Sequence, residues 1–419
     1  MSALAHARSP AAQWLLAGFL LTFSSAFGQT FFIAVFADEL KAAFALGDGA
    51  FGAYYTVATL ASSVMLIYAG RLADRERVSG VAVMILLGLV ATSLAMAGSV
   101  AGWMLLPVFI GLRFFGQGML GHVALTAMAR WFDAGRGKAI SVAAMGNPAG
   151  QAVFPIIAIA LMQTVGWRMT WVLAAAFVAL AMTPLIVLLL RREPGRVAPA
   201  PAAVATGGDA EPGGAKAARD GRRQWTRAEV LRDPLFYLLM PGILAPSFVV
   251  TGIFFNQIGL VRFKGWDMTW FAAWFAAHAA ATIVATFLTG WAVDRFGSVR
   301  IMPLFLLPMV VGVAALGASE NPLAVPAFMI LAGISSGSSA TLIGALWADL
   351  YGTRHLGSIR ALATSGSVFA SAIAPGLMGL LLDWRIAIDT QVIGMAAYTA
   401  ASAALLVAAL PRLRKGVAG

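Results

Sequence analysis

The sequence contains no cysteine, so disulfides and thiolate metal sites are excluded. Charge is scarce: 11% of the 419 residues are Asp, Glu, Lys or Arg, against about 25% in ordinary soluble domains. Four histidines are scattered along the chain. No metal cluster, catalytic triad or nucleotide-cradling glycine loop is present, so neither an enzyme nor a cofactor is expected. The alternating ten-residue segments of a membrane barrel are missing too.

What is present is apolar. Hydrophobic residues make up 60% of the chain and the mean hydropathy is +0.84. One soluble core has no use for so much apolar surface, and runs of about 20 apolar residues recur at the length a helix needs to cross a bilayer. The expected class is an all-α membrane protein with twelve transmembrane helices in two pseudo-symmetric six-helix bundles. Spans are predicted near 12–36, 50–70, 80–99, 103–127, 138–163, 170–190, 234–260, 268–291, 299–317, 322–346, 358–381 and 390–410. The first run is longer than the core of a signal peptide and is read as a retained span.

The net charge of +11 reads as basic loops on one side of a bilayer rather than as a nucleic-acid footprint. With the N-terminus in the cytoplasm, only Lys41, Arg168, Arg262, Lys264 and Arg385 fall in outside segments, and Arg113 lies within a span. The remaining Lys and Arg fall inside, which predicts that both termini are cytoplasmic. Residues 191–232 are rich in Pro, Gly and Ala and read as a cytoplasmic linker. Within it, Thr226 and Glu229 have capping-box spacing for a short surface helix. The linker separates two six-span domains, 1–190 and 233–419. These look duplicated. GRLADR (Gly70, Asp74, Arg75) recurs as GWAVDR (Gly290, Asp294, Arg295), and Gly146 and Pro155 recur as Gly366 and Pro375, every pair being 220 residues apart.

Polar residues concentrate in spans 1, 4, 7 and 10. Polar groups in lipid are costly unless they face protein or water, so these spans are expected to surround a wet cavity. Serines that bond back to their own helix explain part of this pattern; Gln29, Arg113, Asn256 and Gln257 are not explained that way. Arg113 lies ~15 Å into span 4 at 1.5 Å per residue, near the bilayer midplane. A cation there needs a partner, and a guanidinium matches a carboxylate in a two-pronged fork. Gln117, about 40° away on the wheel, shares its face, whereas Gly111, Gly118 and His122 fall on the opposite, packing face. Arg113 is therefore the candidate anion-binding residue; the bland reading has it capping a helix or bonding backbone carbonyls. His278, mid-way along span 8, is a second candidate, either carrying a coupled proton or completing the anion site; a neutral histidine bonded to a hydroxyl is equally compatible. Gln29, Asn256, Gln257 and Asn147 are further candidates, as is Tyr54, beside Tyr55 near the mouth of span 2, though that pair also suits an interfacial aromatic role. Asp38 and Glu39 are expected to be solvated.

GRLADR and GWAVDRFG resemble the loop between spans 2 and 3 of the major facilitator superfamily, and RFFGQG resembles its span 4 motif. ARWFDAGRGKAISVAAMGNPAG resembles the span 5 signature of the monocarboxylate porter and oxalate/formate antiporter branch. The chain departs from that branch in carrying His278, and no arginine, in span 8. The resemblance implies a secondary transporter working by alternating access. It further implies that Gly70, Asp74, Arg75, Gly290, Asp294 and Arg295 latch the cytoplasmic face, with Arg130 and Arg354 as partners. The expected cargo is a small organic anion, a monocarboxylate or related carboxylate, coupled to protons or exchanged for another anion. Exporters of amphipathic drugs, importers of neutral solutes and a non-transporting sensor are the alternatives. A monomer in a bacterial inner membrane is expected, with lipid and the anion as its partners.

Overall fold

The computed structural model describes residues 10–69, 76–132, 136–191, 224–352 and 354–418, and every regular element among them is helical. Among the described residues, ten helices are long and apolar enough to cross a bilayer. One of them, Lys138–Leu190, runs for 53 residues and turns at Gly166, whose φ is 79°, so it supplies spans 5 and 6. The shorter apolar helix Leu307–Ala318 completes a twelve-helix, multi-pass membrane fold.

The predicted ninth span, 299–317, is not one continuous helix. The short helix Ser298–Ile301 stops, residues 302–306 form turns, and Leu307–Ala318 follows. Pro303 and Pro308 account for the interruption, since each removes a backbone donor and restricts the residue before it. Twelve residues cover about 18 Å, short of the ~30 Å hydrocarbon layer. Span 10 (Ala324–Tyr351) compensates at the new helix end, where Ser335 Oγ accepts a hydrogen bond from the Met309 N–H at 3.1 Å. Such first-turn donors have no partner inside their own helix.

Span 1 is also broken. Pro10–Ser24 passes into a 3-10 turn at Ser25–Gly28, Gln29 is extended (φ −84°, ψ 154°), and helix resumes at Thr30–Ile33. Glycine explains where it bends. A Cβ on Gly28 would lie 2.7 Å from Gln117 N and from Gly116 Cα, and one on Gly116 would lie 2.6 Å from Gly28 Cα. The backbones of spans 1 and 4 touch there. Span 5 approaches span 1 by the same device: a Cβ on Gly146 would meet Phe23 N, and one on Gly150 the Ala26 Cβ, each at 2.7 Å. Small residues four apart are the usual means of close helix contact in lipid.

Contacts divide the chain into two compact units. One comprises Met1–Ala198, Ile253–Ala279 and Pro375–Ile386; the other comprises Pro199–Gly252, Ala280–Ala374 and Ala387–Gly419. The first is centred on aromatic rings, with Phe27–Phe154 centroids 4.4 Å apart and Phe36–Trp171 4.9 Å apart. The second has its core around Phe236, Leu346, Trp347 and Leu406. There the end of the linker is tied down. Thr226 and Glu229 form the capping box, the Trp225 N–H donates to Tyr351 O at 3.0 Å, and Tyr351 Oη donates to Asp233 at 2.8 Å.

The duplication extends into backbone conformation that side chains do not advertise. Phe36 (φ −96°, ψ 3°) and Asn256 (φ −97°, ψ 18°) interrupt spans 1 and 7 alike. Ala45 (φ 50°) and Gly265 (φ 66°) end the helical extensions that follow, both left-handed. Each pair is again 220 residues apart.

These extensions, Ala37–Phe44 and Gln257–Phe263, carry a charge cluster. Lys41 Nζ is 3.0 Å from Asp38 and 2.6 Å from Asp48, and Arg262 pairs with Asp38. The Gly49 N–H donates to Asp383 Oδ2 at 3.1 Å, which ties the end of span 11 to the start of span 2. Asp38 is therefore not a solvated helix end: its side chain is only 16% exposed and bridges two cations. Nothing in the local sequence around Asp38 points to Arg262, which approaches it from the other half of the chain.

Candidate functional site

Arg113 lies in span 4 (Gly102–Trp131), within a π-helical stretch, Leu112–Leu120. Such widened turns are rare and cluster at functional sites. This one coincides with the Gly28–Gly116 contact, and that close approach puts Arg113 beside the break in span 1. Its side chain is 2% exposed. One guanidinium nitrogen, Nη1, donates to Gly28 O and to Thr30 Oγ1, each at 3.4 Å. The guanidinium carbon stands 5.0 Å from the centre of the Tyr55 ring, within cation–π range. Tyr55 Oη and Thr30 Oγ1 share a hydrogen bond of 2.6 Å, in which either can be the donor. Nε has no hydrogen-bond partner among the described residues.

The chemistry follows from these contacts. An arginine has five N–H donors, and the two bonds from Nη1 are at the long limit of hydrogen bonding. Every contact named is with a neutral group. A buried cation in that state is under-compensated and favours an incoming anion, which accepts shorter and stronger bonds than a carbonyl does.

Gln257 belongs to the same cluster. It is fully buried; its Nε2 donates to Phe31 O at 3.2 Å, and its Oε1 has no partner among the described residues. Phe31 adjoins Thr30, and two residues before Gln257 the Phe255 ring packs 4.5 Å from Tyr55. Phe51 stacks on Phe255 at 5.3 Å. Four elements thus meet: the span 1 break, the Phe51/Tyr55 face of span 2, the π-helical part of span 4 and the kinked end of span 7.

The other predicted residues lie in different surroundings. Gln117 and Gln29 are half-buried, Gln29 at the break itself. Asn256 Nδ2 lies 3.4 Å from Met378 Sδ. Asn147 donates to Ser25 Oγ at 3.2 Å and so ties span 5 to span 1. His278 is 5% exposed and meets the Phe254 ring edge-on at 5.3 Å. Tyr54 is half-buried, whereas its neighbour Tyr55 is fully buried against Arg113. Thr30, a polar residue of span 1, and Tyr55, which the sequence pairs with Tyr54, both contact Arg113 directly, though the sequence does not single out either one for that role. The face Phe51, Tyr55, Thr59, spaced by four, was the available signal.

The family profile described as Major Facilitator Superfamily matches residues 18–277 and 256–418. The chain belongs to the Major Facilitator Superfamily. Its fold matches solved members of that superfamily along nearly the full length. A bacterial homolog of the human lysosomal transporter Spinster, in an inward-facing and unoccupied conformation, has a TM-score of 0.74 at 16% identity, over 98% of each chain. A mutant form of the nucleoside transporter NupG has a TM-score of 0.68 at 14% identity, over 96% of this chain and 99% of that one. Among curated proteins, a gentisate transporter of Corynebacterium glutamicum is 32% identical over 130 residues, which is 30% of this chain and 29% of that protein's length. This Major Facilitator Superfamily member is thus a transporter rather than an enzyme.

Of the latch residues that the superfamily resemblance implies, Gly70, Asp74 and Arg75 lie outside the described residues. Asp294 and Arg295 are exposed near the end of span 8. Gly290 has room for a Cβ, the nearest atom being 3.8 Å away on Thr341. Arg130 is half-buried; Arg354 is exposed, and its N–H donates to Gln224 Oε1 at 3.1 Å.

Proposed function

We propose that this transporter carries a small organic anion, a monocarboxylate, by alternating access, and that Arg113 binds the carboxylate. The observation that carries the reading is a buried guanidinium among neutral partners, with long bonds and an unused Nε. The anion displaces Gly28 O and Thr30 Oγ1 from Nη1, and the Tyr55 ring holds the guanidinium in place meanwhile. Gentisate, the cargo named for the partial relative, is itself a carboxylate, which supports the same class. Gln117, Gln29, Asn256, Gln257, Asn147, Tyr54 and His278 line the route or the site, and movement is coupled to protons or to exchange of a second anion. The GRLADR and GWAVDR loops, with Arg130 and Arg354, latch the cytoplasmic face. The protein works as a monomer of two six-helix repeats, 1–190 and 233–419, in a bacterial inner membrane with both termini in the cytoplasm. The Lys41–Asp38–Arg262 cluster then lies on the outside.

The experiment is uptake of labelled carboxylates into proteoliposomes, with and without a pH gradient, by the unaltered protein and by Arg113→Gln. Anion uptake that the substitution strongly weakens is expected. The aromatic surroundings also suit a neutral amphipathic cargo, and transport that Arg113→Gln leaves unchanged would favour that reading.

A further inference from the structure

Among the buried polar atoms near the span 1 break that lack partners among the described residues, two are single-sense groups of opposite hydrogen-bonding type. Arg113 Nε is a donor and Gln257 Oε1 an acceptor. The orientation of the Gln257 amide is fixed by its surroundings: Nε2 must face Phe31 O, because a carbonyl accepts and cannot donate. Oε1 is therefore held as an acceptor at full burial. Leaving such an atom unpaired is costly, and the cost is recovered by a ligand that brings a donor.

The two atoms belong to one cluster. Gln257 is pinned to Phe31, and the adjoining Thr30 contacts both Arg113 and Tyr55. Both also flank helix interruptions, Thr30 following the break at Gln29 and Gln257 following the kink at Asn256. Discontinuous helices are where transporters place polar cargo groups. The remaining neighbours, Phe51, Tyr55 and Phe255, present ring faces and edges.

We infer that the cargo is a hydroxylated aromatic carboxylate, its carboxylate on Arg113 and its hydroxyl donating to Gln257 Oε1. This inference rests on the carboxylate reading above and adds the second contact, which makes Gln257 the residue that selects for a hydroxyl. A site built around a hydrogen bond to a hydroxyl discriminates strongly against the analogue that lacks it, because its own polar group is then stranded.

The test is uptake of labelled benzoate, the three monohydroxybenzoates and the matching methoxybenzoates by the full chain in proteoliposomes. At least one hydroxybenzoate is expected to exceed benzoate and its methoxy counterpart in kcat/KM by about tenfold or more, since a methoxy group cannot donate. In Gln257→Leu the ratio of hydroxybenzoate to benzoate should fall towards one. Equal handling of hydroxy-, methoxy- and unsubstituted benzoates by the unaltered protein would overturn the inference while leaving the carboxylate reading intact. So would a preference that persists in Gln257→Leu. Failure of every carboxylate to enter would bring down both.

Discussion

At the scale of single residues, the decisive feature is a buried cation whose hydrogen-bond and ring partners among the described residues are a carbonyl, a hydroxyl and an aromatic face, all neutral. Truncating a buried charge that binds an ion typically costs about 2–5 kcal/mol, so Arg113→Gln should raise KM for the anion at least ~30-fold. Arg113→Lys should not restore it, because an ammonium cannot form the fork or present a plane to Tyr55. Radiotracer uptake measures both. Tyr55→Phe separates hydroxyl from ring: it removes a bond worth about 0.5–1.5 kcal/mol and should raise KM by roughly 2- to 12-fold, with Tyr55→Leu worse. Arg113 was legible in the sequence because an arginine within a lipid-length apolar run is costly and is usually kept for function. Tyr55 was not, because choosing between adjacent tyrosines requires knowing which face of span 2 meets span 4, and both tyrosines also suit a membrane interface.

At the scale of helices, glycine decides what can touch. Gly28→Ala would drive a methyl group into the span 4 backbone at Gly116 and Gln117. Rigid overpacking of this kind costs about 1–3 kcal/mol, and the strain falls on the π-helical turn that carries Arg113. The expected outcome is a lower melting temperature in detergent together with weakened uptake, whereas Gly80→Ala, at an exposed helical position with open space around it, lowers neither and, as a helix-favouring change, raises the melting temperature slightly. The charge cluster on the helical extensions has a pH signature. Burial alone would push the Lys41 ammonium down, but hydrogen bonds and charge attraction from Asp48 and Asp38 outweigh it, and its pKa is raised. Stabilisation from this group is therefore complete below the ordinary lysine value of about 10.4 and is lost as pH rises through the raised one. The melting-temperature gap between the unaltered protein and Lys41→Met should stay constant from about pH 7 to 9 and close only above about pH 10.5. The spans themselves were readable from hydropathy; their interruptions at Gln29 and Asn256 were not. A helix break in lipid depends on which neighbour supplies the missing hydrogen bonds, and that is a tertiary fact.

At the scale of the whole chain, duplication is the organising event, and it was visible first as residue pairs 220 apart. The backbone carries the same offset where the side chains have diverged, at Phe36 with Asn256 and at Ala45 with Gly265. The last pair is a natural experiment in sequence drift. Both positions end a helix in the left-handed region and both are exposed, so packing does not separate them. An L-residue there crowds its Cβ against the backbone at a cost of about 1–2 kcal/mol, whereas glycine does not. One copy has the residue the turn demands and the other tolerates a worse one. Ala45→Gly should therefore stabilise the protein and Gly265→Ala destabilise it, each by about 1 kcal/mol. Thermal unfolding of the two single variants and of the double variant tests this, with opposite shifts expected for the singles and near-cancellation in the double. If both singles lose stability, the conformation at residue 45 is not the duplicate of that at residue 265, and the two copies turn differently after their first spans.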